Sequence, residues 1–383
     1  MKKFASLVLT VVLLITMLSV FAVTASAEEI ISGDYKYTVN NDGTATITGY
    51  TGNGGEITIP ETLDEYKVTA IGNDAFSNNK SLTKVTILGN INRIGDFAFQ
   101  CCGMTTLTIS EGVKSIGLSA FRDCEKLAAV TIPTSVESIG NYAFSGCDHM
   151  TTLTISEGVN SIGASAFENC VALTTVTIPK SVSSIGNYAF ENCSMTTLTI
   201  SEGVNSIGEG AFQGCSQMTT LTISEGVNSI GASAFMGCIQ LATVTIPDGV
   251  KSIGASAFQD CAALATVTIP ESVESIGDNA FSGCSANLVI RVPSNPAAEN
   301  YAKKHSIAFV ANGQCKHFAH LYCETCKTNL SRSDLLKAWG DDNLSVGSTL
   351  SEGNLTIICS VVCLAVGFLT AMLIFRKKAI HNS

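Results

Sequence analysis

The chain returns ten times to an Ala-Phe pair at an almost constant interval. Successive pairs lie 23 residues apart, with two steps of 22. The phenylalanines are Phe76, Phe99, Phe121, Phe144, Phe167, Phe190, Phe212, Phe235, Phe258 and Phe281. A period this short and regular indicates a stack of similar supersecondary units, each of which buries its apolar face only against its neighbours. We therefore predict a solenoid of about ten repeats of 22–23 residues over residues 71–287.

Each repeat contains a short alternation of apolar residues and threonine. Val176, Thr177 and Ile178 show it in one copy, and this pattern is typical of a strand with one buried face. We predict one parallel strand per repeat. A Ser-Ile-Gly triplet follows, such as the one ending at Gly186, and we predict that it turns the chain because glycine accepts a positive φ.

A second position recurs three residues after each phenylalanine. It holds Asn79 in the first repeat and cysteine in the other nine. The cysteines are Cys102, Cys124, Cys147, Cys170, Cys193, Cys215, Cys238, Cys261 and Cys284. Asparagine or cysteine at a fixed place before a Leu-x-x-Val-x-Ile strand is the ladder of leucine-rich repeats, whose side chains satisfy backbone groups inside the coil.

On these residues, the chain resembles the BspA-like leucine-rich repeats of bacterial cell-surface proteins, over about residues 32–310. The resemblance implies a leucine-rich-repeat solenoid, a right-handed coil with short parallel β-strands on its concave face. It also implies adhesion to host proteins and to other microbes.

The ladder cysteines raise the question of disulfides in an exported chain. Adjacent strands of a parallel stack lie about 5 Å apart, but their Cβ atoms point the same way rather than toward each other. The number of ladder cysteines is odd, and Asn79 fills the first place without a crosslink. We therefore predict buried thiols that act as small apolar groups and weak donors.

The exposed ends of a solenoid need cover. At the N-terminal end, Tyr35–Val39 and residues 44–48 alternate apolar and polar residues around the Asn-Asn-Asp-Gly sequence at 40–43, which predicts a hairpin. We assign residues 28–70 to this capping hairpin and the entry to the first repeat.

At the C-terminal end, the residue pattern predicts a strand, a helix and a second strand in residues 288–312. Residues 288–292 form the first strand, and Ser294-Asn295-Pro296 supplies an N-cap ahead of a first-turn proline. The helix is predicted to run to about His305 and to be followed by an edge strand at 307–310.

The N-terminus carries the features of a secretory signal peptide. Lys2 and Lys3 precede an apolar run that ends near Val23, and Ala-Ser-Ala follows at 25–27. We predict a signal peptide over residues 1–27, and therefore an exported protein.

The C-terminus carries a predicted membrane anchor. Residues 355–375 have no charged side chain, and as a helix these residues extend about 31 Å, enough to cross the hydrocarbon core. Basic residues follow immediately, which predicts a cytoplasmic tail at 376–383. With a polar juxtamembrane linker at 331–354, this describes a single-pass type I protein of the cell membrane, with the bulk of the chain extracellular.

The segment at 313–330 contains the only ligand-like spacing in the chain. Its members are Cys315, His317, His320, Cys323 and Cys326. Cys-x2-Cys with one further cysteine and a histidine suits a structural zinc site with no open position for a substrate. A Cys323–Cys326 or Cys315–Cys326 disulfide, or free thiols beside solvated histidines, fits the same residues. The sequence leaves these alternatives open, and no other cofactor is predicted.

Charge and histidine content argue against two classes of function. Residues 28–354 hold 17 Lys and Arg against 32 Asp and Glu, a net charge of about −15, which disfavours nucleic acid as a partner. The repeats hold a single histidine, His149. An active site needs unlike groups that converge from different elements, and near-identical repeats supply a periodic surface instead. We predict that the protein is not an enzyme.

The periodic surface is a row of threonines on the predicted strands. The row consists of Thr86, Thr108, Thr131, Thr154, Thr177, Thr199, Thr222, Thr245 and Thr268. Threonine suits an exposed strand face for structural reasons alone. The functional interpretation is a hydroxyl-rich face that binds an extended extracellular protein or glycoprotein without catalysis. The alternatives are a carbohydrate- or mucin-binding module, which would need aromatic platforms on that face, and a passive structural spacer on the cell surface.

Overall fold

The computed structural model describes residues 28–292 and 295–310, together with the backbone of residues 311, 314–316, 321–322 and 329–330. In these residues the chain is a β-solenoid of leucine-rich repeats with about 11 turns. Strands and the helix are numbered in chain order.

Six strands precede the first Ala-Phe pair. They are β1 (Ile30–Ser32), β2 (Tyr35–Val39), β3 (Ala45–Tyr50), β4 (Gly55–Thr58), β5 (Thr62–Leu63) and β6 (Tyr66–Ile71). β2 and β3 pair antiparallel and form the predicted hairpin, although β3 runs to Tyr50 rather than ending at residue 48. β3 then runs parallel to β6, so the N-terminal hairpin joins the same sheet as the repeats.

Each repeat contains two strands, and the prediction of one strand was wrong. The longer strands carry the threonines: β7 (Leu82–Ile87), β9 (Thr106–Ile109), β11 (Ala129–Ile132), β13 (Thr152–Ile155), β15 (Thr175–Ile178), β17 (Thr197–Ile200), β19 (Thr220–Ile223), β21 (Thr243–Thr245) and β23 (Thr266–Thr268). The shorter strands are β8 (Arg93–Ile94), β10 (Ser115–Ile116), β12 (Ser138–Ile139), β14 (Ser161–Ile162), β16 (Ser184–Ile185), β18 (Ser206–Ile207), β20 (Ser229–Ile230), β22 (Ser252–Ile253) and β24 (Ser275–Ile276). The Ser-Ile pair forms a strand because its backbone pairs with the same two residues of the next repeat.

The two kinds of strand form parallel ladders with the register of the repeat. The short strands continue from β6 in a 14-stranded sheet that ends at β24. The long strands form three sheets, of which the central one runs from β11 to β19. Equivalent residues are always partners, as Thr177 is to Thr199 and Ile185 is to Ile207. The stack therefore places each position of the repeat in a straight column.

The core is a set of such columns. Leu173, Val176, Ile178 and Ile185 are buried in one repeat, and their equivalents are buried along the stack. The ten phenylalanines form a continuous ring stack, with neighbouring centroids 4.7 to 5.5 Å apart and ring planes within 12° of parallel. Because each ring is covered by the next repeat, stability depends on the interfaces between repeats.

The glycine of the Ser-Ile-Gly triplet has a different role from the predicted one. Positive φ values are found elsewhere in the repeat and not at these glycines. A Cβ atom on Gly186 would lie only 2.6 Å from the backbone nitrogen of Ala164 and the carbonyl carbon of Gly163. Real Cβ atoms do not approach backbone this closely, so the triplet needs glycine because adjacent turns stack backbone to backbone.

After the last repeat the chain forms β25 (Val289–Val292), α1 (Pro296–Lys304), β26 (Ala308–Ala311), β27 (Gln314–Lys316), β28 (Leu321–Tyr322) and β29 (Asn329–Leu330). β25 extends the last long-strand sheet, where Arg291 pairs with Thr268. The prediction that the strand after the helix is an edge strand was wrong, because β26 pairs with β25 on one side and antiparallel with β27 on the other.

The helix is fixed to the last repeat by two side chains. Asn295 caps it by accepting a hydrogen bond from the Ala298 amide at 2.9 Å, while its own amide nitrogen donates to the carbonyls of Pro270 and Val273. The ring of Tyr301 packs edge-to-face on Phe281, the last ring of the stack. The Tyr301 hydroxyl also accepts a hydrogen bond from the Phe281 amide.

Several predicted segments lie outside the described residues: the signal peptide at 1–27, the linker at 331–354, the span at 355–375 and the tail at 376–383. Within the described ranges, no helix has the length and apolar character needed to cross a membrane.

Candidate functional site

The long strands present two columns of threonine on their outer side. The first is the predicted row from Thr86 to Thr268, exposed at seven positions and half-buried at its two ends. The second column, two residues earlier in each strand, consists of Thr106, Thr152, Thr175, Thr197, Thr220, Thr243 and Thr266. We call the two columns together the threonine face. The intervening residues, such as Leu198 between Thr197 and Thr199, point into the core.

The register extends the threonine face beyond the predicted row. Thr58 of β4 is paired with Thr86, and Arg291 ends the row after Thr268. Lys84 interrupts the second column and forms an ion pair with Glu56 at 3.2 Å. Thr58 precedes the first Ala-Phe pair, so only the strand pairing could assign it to the face.

The ladder cysteines lie inside the coil, and each donates to backbone. In all nine, the Sγ atom donates to the carbonyl oxygen of the phenylalanine one repeat earlier, as Cys193 donates to Phe167 at 3.3 Å. All nine are free thiols, as is the partly exposed Cys101. Burial raises the pKa of Cys102, Cys170 and Cys215 to about 12. A neutral, buried thiol is a weak nucleophile, so the ladder has a structural role.

Asn79 makes different contacts from the cysteines that follow it. Its Oδ1 atom accepts hydrogen bonds from the backbone amides of Ser81 and Leu82, both at 3.2 Å. These are contacts within its own turn, whereas each cysteine reaches the preceding repeat. Asn79 therefore satisfies backbone groups, as expected of a ladder residue, but in its own turn, since no Ala-Phe turn precedes it.

A third column has a backbone conformation that disfavours most side chains. The residue before each Ala-Phe pair has a positive φ in all ten copies, between 51° and 58°. Seven copies use Asp, Asn, Gly or Ser there, namely Asp74, Ser119, Ser165, Gly210, Ser233, Ser256 and Asn279. The other three use Phe97, Tyr142 and Tyr188. A bulky L-residue in this region costs about 1 to 2 kcal/mol, so an aromatic ring here needs an explanation.

The three rings, which we call the aromatic strip, occur in alternate repeats. Phe97 and Tyr188 are half-buried, and Tyr142 is 39% exposed. The guanidinium carbon of Arg122 lies 5.7 Å from the centroid of the Tyr142 ring. In the sequence this column is the first residue of a triplet, which reads Phe-Ala-Phe or Tyr-Ala-Phe in these three repeats and Ser-Ala-Phe in four others. Its aromatic members are therefore visible in the sequence, although their conformation is not.

Tyr188 shows how a ring fits on this surface. A Cβ atom on Gly210, the equivalent residue of the next repeat, would lie 2.4 Å from two carbon atoms of the Tyr188 ring. The ring therefore lies across the next turn, and its hydroxyl donates to Glu209 of that turn at 2.7 Å. This hydrogen bond raises the pKa of Tyr188. The Tyr188 ring leaves no room for a Cβ atom at the equivalent position of the next repeat, which is Gly210, whereas Phe97 and Tyr142 are each followed by serine.

Comparison with protein families decides the classification. Residues 50–174 and 160–288 match the model of the BspA type leucine rich repeat region (6 copies), and together they include more than half of the chain. The chain belongs to this family. No curated protein matches the sequence.

Solved structures of bacterial leucine-rich repeat proteins resemble this chain. A leucine rich cell surface protein from Faecalibacterium prausnitzii is 28% identical, with a TM-score of 0.35, over 72% of this chain and 98% of that one. The leucine rich repeat protein of T. pallidum is 26% identical, with a TM-score of 0.43, over 58% and 92%. The pneumococcal vaccine antigen PcpA is 18% identical, with a TM-score of 0.43, over 75% and 97%.

The Cys/His segment of this BspA-type chain lies mostly outside the described residues. Only the backbone of Cys315 is described, in β27, while His317, His320, Cys323 and Cys326 fall outside. The zinc and disulfide predictions therefore stay predictions. In the described part of the chain, no group of three or more His, Cys, Asp or Glu is placed to hold a metal ion. His149 is exposed, and its Nδ1 atom lies 2.8 Å from the carbonyl oxygen of Glu125.

Proposed function

We propose that this BspA-type protein is a membrane-anchored surface protein that binds an extracellular protein or glycoprotein, without catalysis, through its threonine face. One observation carries the proposal: the face repeats in register along the whole stack although it is exposed. Within the described residues, the hydroxyls of Thr154, Thr177, Thr199 and Thr222 have no hydrogen-bond partner in the protein. Core packing explains the buried columns but not this one.

The chemistry of the face suits an extended partner. From β11 to β23 the two columns hold fourteen outward residues, all of them uncharged: thirteen threonines and one alanine, Ala129. Each threonine contributes one donor and two acceptor lone pairs at a constant spacing. Many weak contacts along such a face sum to a useful affinity, and their spacing favours a partner that lies along the stack.

The second half of the proposal is the location of the protein at the cell surface. It rests on the signal peptide at 1–27, the apolar segment at 355–375 and the basic residues after it. In this arrangement the solenoid stands outside the membrane on the linker at 331–354. Protein truncated after Asn354 is expected in the culture medium, and the full chain in the membrane fraction through high salt and alkaline wash. Release of the full chain by salt alone would contradict the anchor.

The threonine face is tested with lysine substitutions in the full chain. The variant Thr154→Lys, Thr177→Lys, Thr199→Lys and Thr222→Lys places charge and bulk on four neighbouring turns. Binding to the ligand found in a screen of matrix glycoproteins, mucin and whole bacterial cells should fall at least about tenfold, or 1.4 kcal/mol. The melting temperature should stay close to that of the parent, because these side chains are exposed.

A matched control carries the same charge on the other side of the same repeats. Asn160, Ser183, Asn205 and Asn228 are exposed and precede the short strands, so their replacement by Lys changes the net charge equally. This control should bind as the parent does. Equal losses of binding in both variants would indicate a general effect of charge. Unchanged binding in the threonine variant would show that the threonine face is not the binding site.

A further inference from the structure

The geometry points to a second binding surface on the aromatic strip. We infer that Phe97, Tyr142 and Tyr188 bind an extended, uncharged β-1,4-linked glycan chain, with successive rings stacking on alternate sugar residues. This surface is separate from the threonine face, which lies on the long strands. The proposal does not depend on the function of that face.

The orientation of Tyr188 is the first support. Its ring packs against Gly210 of the next turn, and its hydroxyl is held by Glu209, so the position of the ring on the surface is fixed. A flat, fixed aromatic face is suited to the apolar face of a pyranose ring, whose C–H groups are attracted to the negative π face. The strained backbone that holds each ring is retained in three copies, although the chain uses serine at the same place in four others.

The spacing of the rings is the second support. The strip repeats every second turn, about 10 Å, because neighbouring strands are about 4.8 Å apart. One sugar residue of an extended β-1,4-linked glycan is nearly as long as the distance between neighbouring turns of the solenoid. Alternate sugars present the same face of the glycan, so they fall on successive rings of the aromatic strip. An extended polypeptide repeats on one face at about 6.6 Å and does not match. A polyproline II helix repeats at about 9 Å, but it docks into grooves between aromatic walls and not on a single row of rings.

Hydrogen-bonding groups beside the rings are the third support. Asn141 and Asn187 directly precede Tyr142 and Tyr188, and their Oδ1 atoms accept from the backbone of the next repeat at 2.8 and 3.0 Å. This fixes the amide groups, while their Nδ2 atoms donate to no group in the described part of the protein. Each tyrosine thus has an oriented donor at its side, the arrangement that sugar hydroxyls require for recognition.

The charge of the surroundings restricts the class of glycan. Asp96 precedes Phe97 and Glu209 holds Tyr188, against one cation, Arg122, beside Tyr142, within a chain whose net charge is −10. Glycans with carboxylate or sulfate groups are repelled by these residues, whereas uncharged glycans are not. The strip therefore selects neutral chains such as those of cellulose or chitin.

The test uses the full chain in detergent and three polymers. Retention is measured on cellulose and on chitin, with immobilised poly-L-proline as the competing class. The parent should be retained on cellulose or chitin and not on polyproline. The triple variant Phe97→Ser, Tyr142→Ser and Tyr188→Ser should bind at least about tenfold more weakly. Serine occupies this position at 119, 165, 233 and 256, so the fold accepts the substitution, which a thermal melt verifies.

Two further variants separate this proposal from the previous one. The four-lysine variant of the threonine face should keep its glycan binding, whatever its effect on protein partners. Ser233→Tyr adds a ring two repeats after Tyr188, next to the small Ser256, and should tighten glycan binding. The proposal is overturned if the parent binds neither cellulose nor chitin, if the triple serine variant binds as tightly as the parent, or if the parent prefers polyproline.

Discussion

The phenylalanine corner and the threonine face of each turn are repeated with similar regularity, but their surroundings differ. In the corner, Phe167 is fully buried between Phe144 and Phe190, and its carbonyl accepts from Cys193. On the face, Thr177 is exposed and has only its strand neighbours beside it. Repetition in the corner follows from packing and backbone hydrogen bonding. Repetition on the face is not required by core packing, and beyond the suitability of threonine for an exposed strand it carries information about function.

The largest expected difference between the two regions is in their response to alkali. An unfolded thiol ionises near pH 8.5, whereas a buried one such as Cys102 keeps its proton until about pH 12. Between these values the folded chain binds more protons, so the free energy of unfolding falls as pH rises. At about 1.4 kcal/mol per pH unit for each thiol, nine of them lower it on the order of 10 kcal/mol per unit.

Denaturant unfolding at pH 8, 9 and 10 measures this fall. The stabilisation is complete below pH 8.5, so the parent should lose stability steeply only above it. A variant with Cys170→Ser, Cys193→Ser and Cys215→Ser should lose about a third of the slope. Equal slopes would show that the thiols are not protected by the fold.

A smaller difference is expected from truncating one side chain in each region. Phe167→Ala removes a fully buried ring from the stack and should lower the free energy of unfolding by about 3 to 5 kcal/mol. Thr177→Ala, ten residues later on the exposed side of β15, should cost less than about 1 kcal/mol. Chemical denaturation of both variants measures the two losses of stability. Similar losses would show that the two regions do not differ in this respect.

The sequence predicted the repeat, the long strands and the N-terminal hairpin, because these depend on local patterns. Val176, Thr177 and Ile178 alternate clearly enough to define a strand. The Ser184–Ile185 strand was missed because two residues are too short for any periodicity. It exists only through its pairing with the same residues in adjacent repeats, and this pairing is a property of the stack.

The same limit applies to the candidate sites. The role of Gly186 comes from its contact with Gly163 and Ala164, which are in another turn, and no local rule predicts such an approach. Thr58 joins the threonine face only through the register of β4 with β7. Phe97, Tyr142 and Tyr188 are visible in the sequence, but a positive φ at an aromatic residue contradicts propensity, so no local rule singles them out.

The uniform interface between repeats has a consequence for the length of the molecule. Deleting residues 145–167 would join Phe144 to Glu168 and restore the spacing from phenylalanine to cysteine, here Phe144 to Cys170. The same ring stacking and the same thiol contact then close the gap, and no new surface is exposed. Each such step shortens the solenoid by about 5 Å. Recombination among the near-identical copies can therefore adjust the length of the solenoid without redesigning its core.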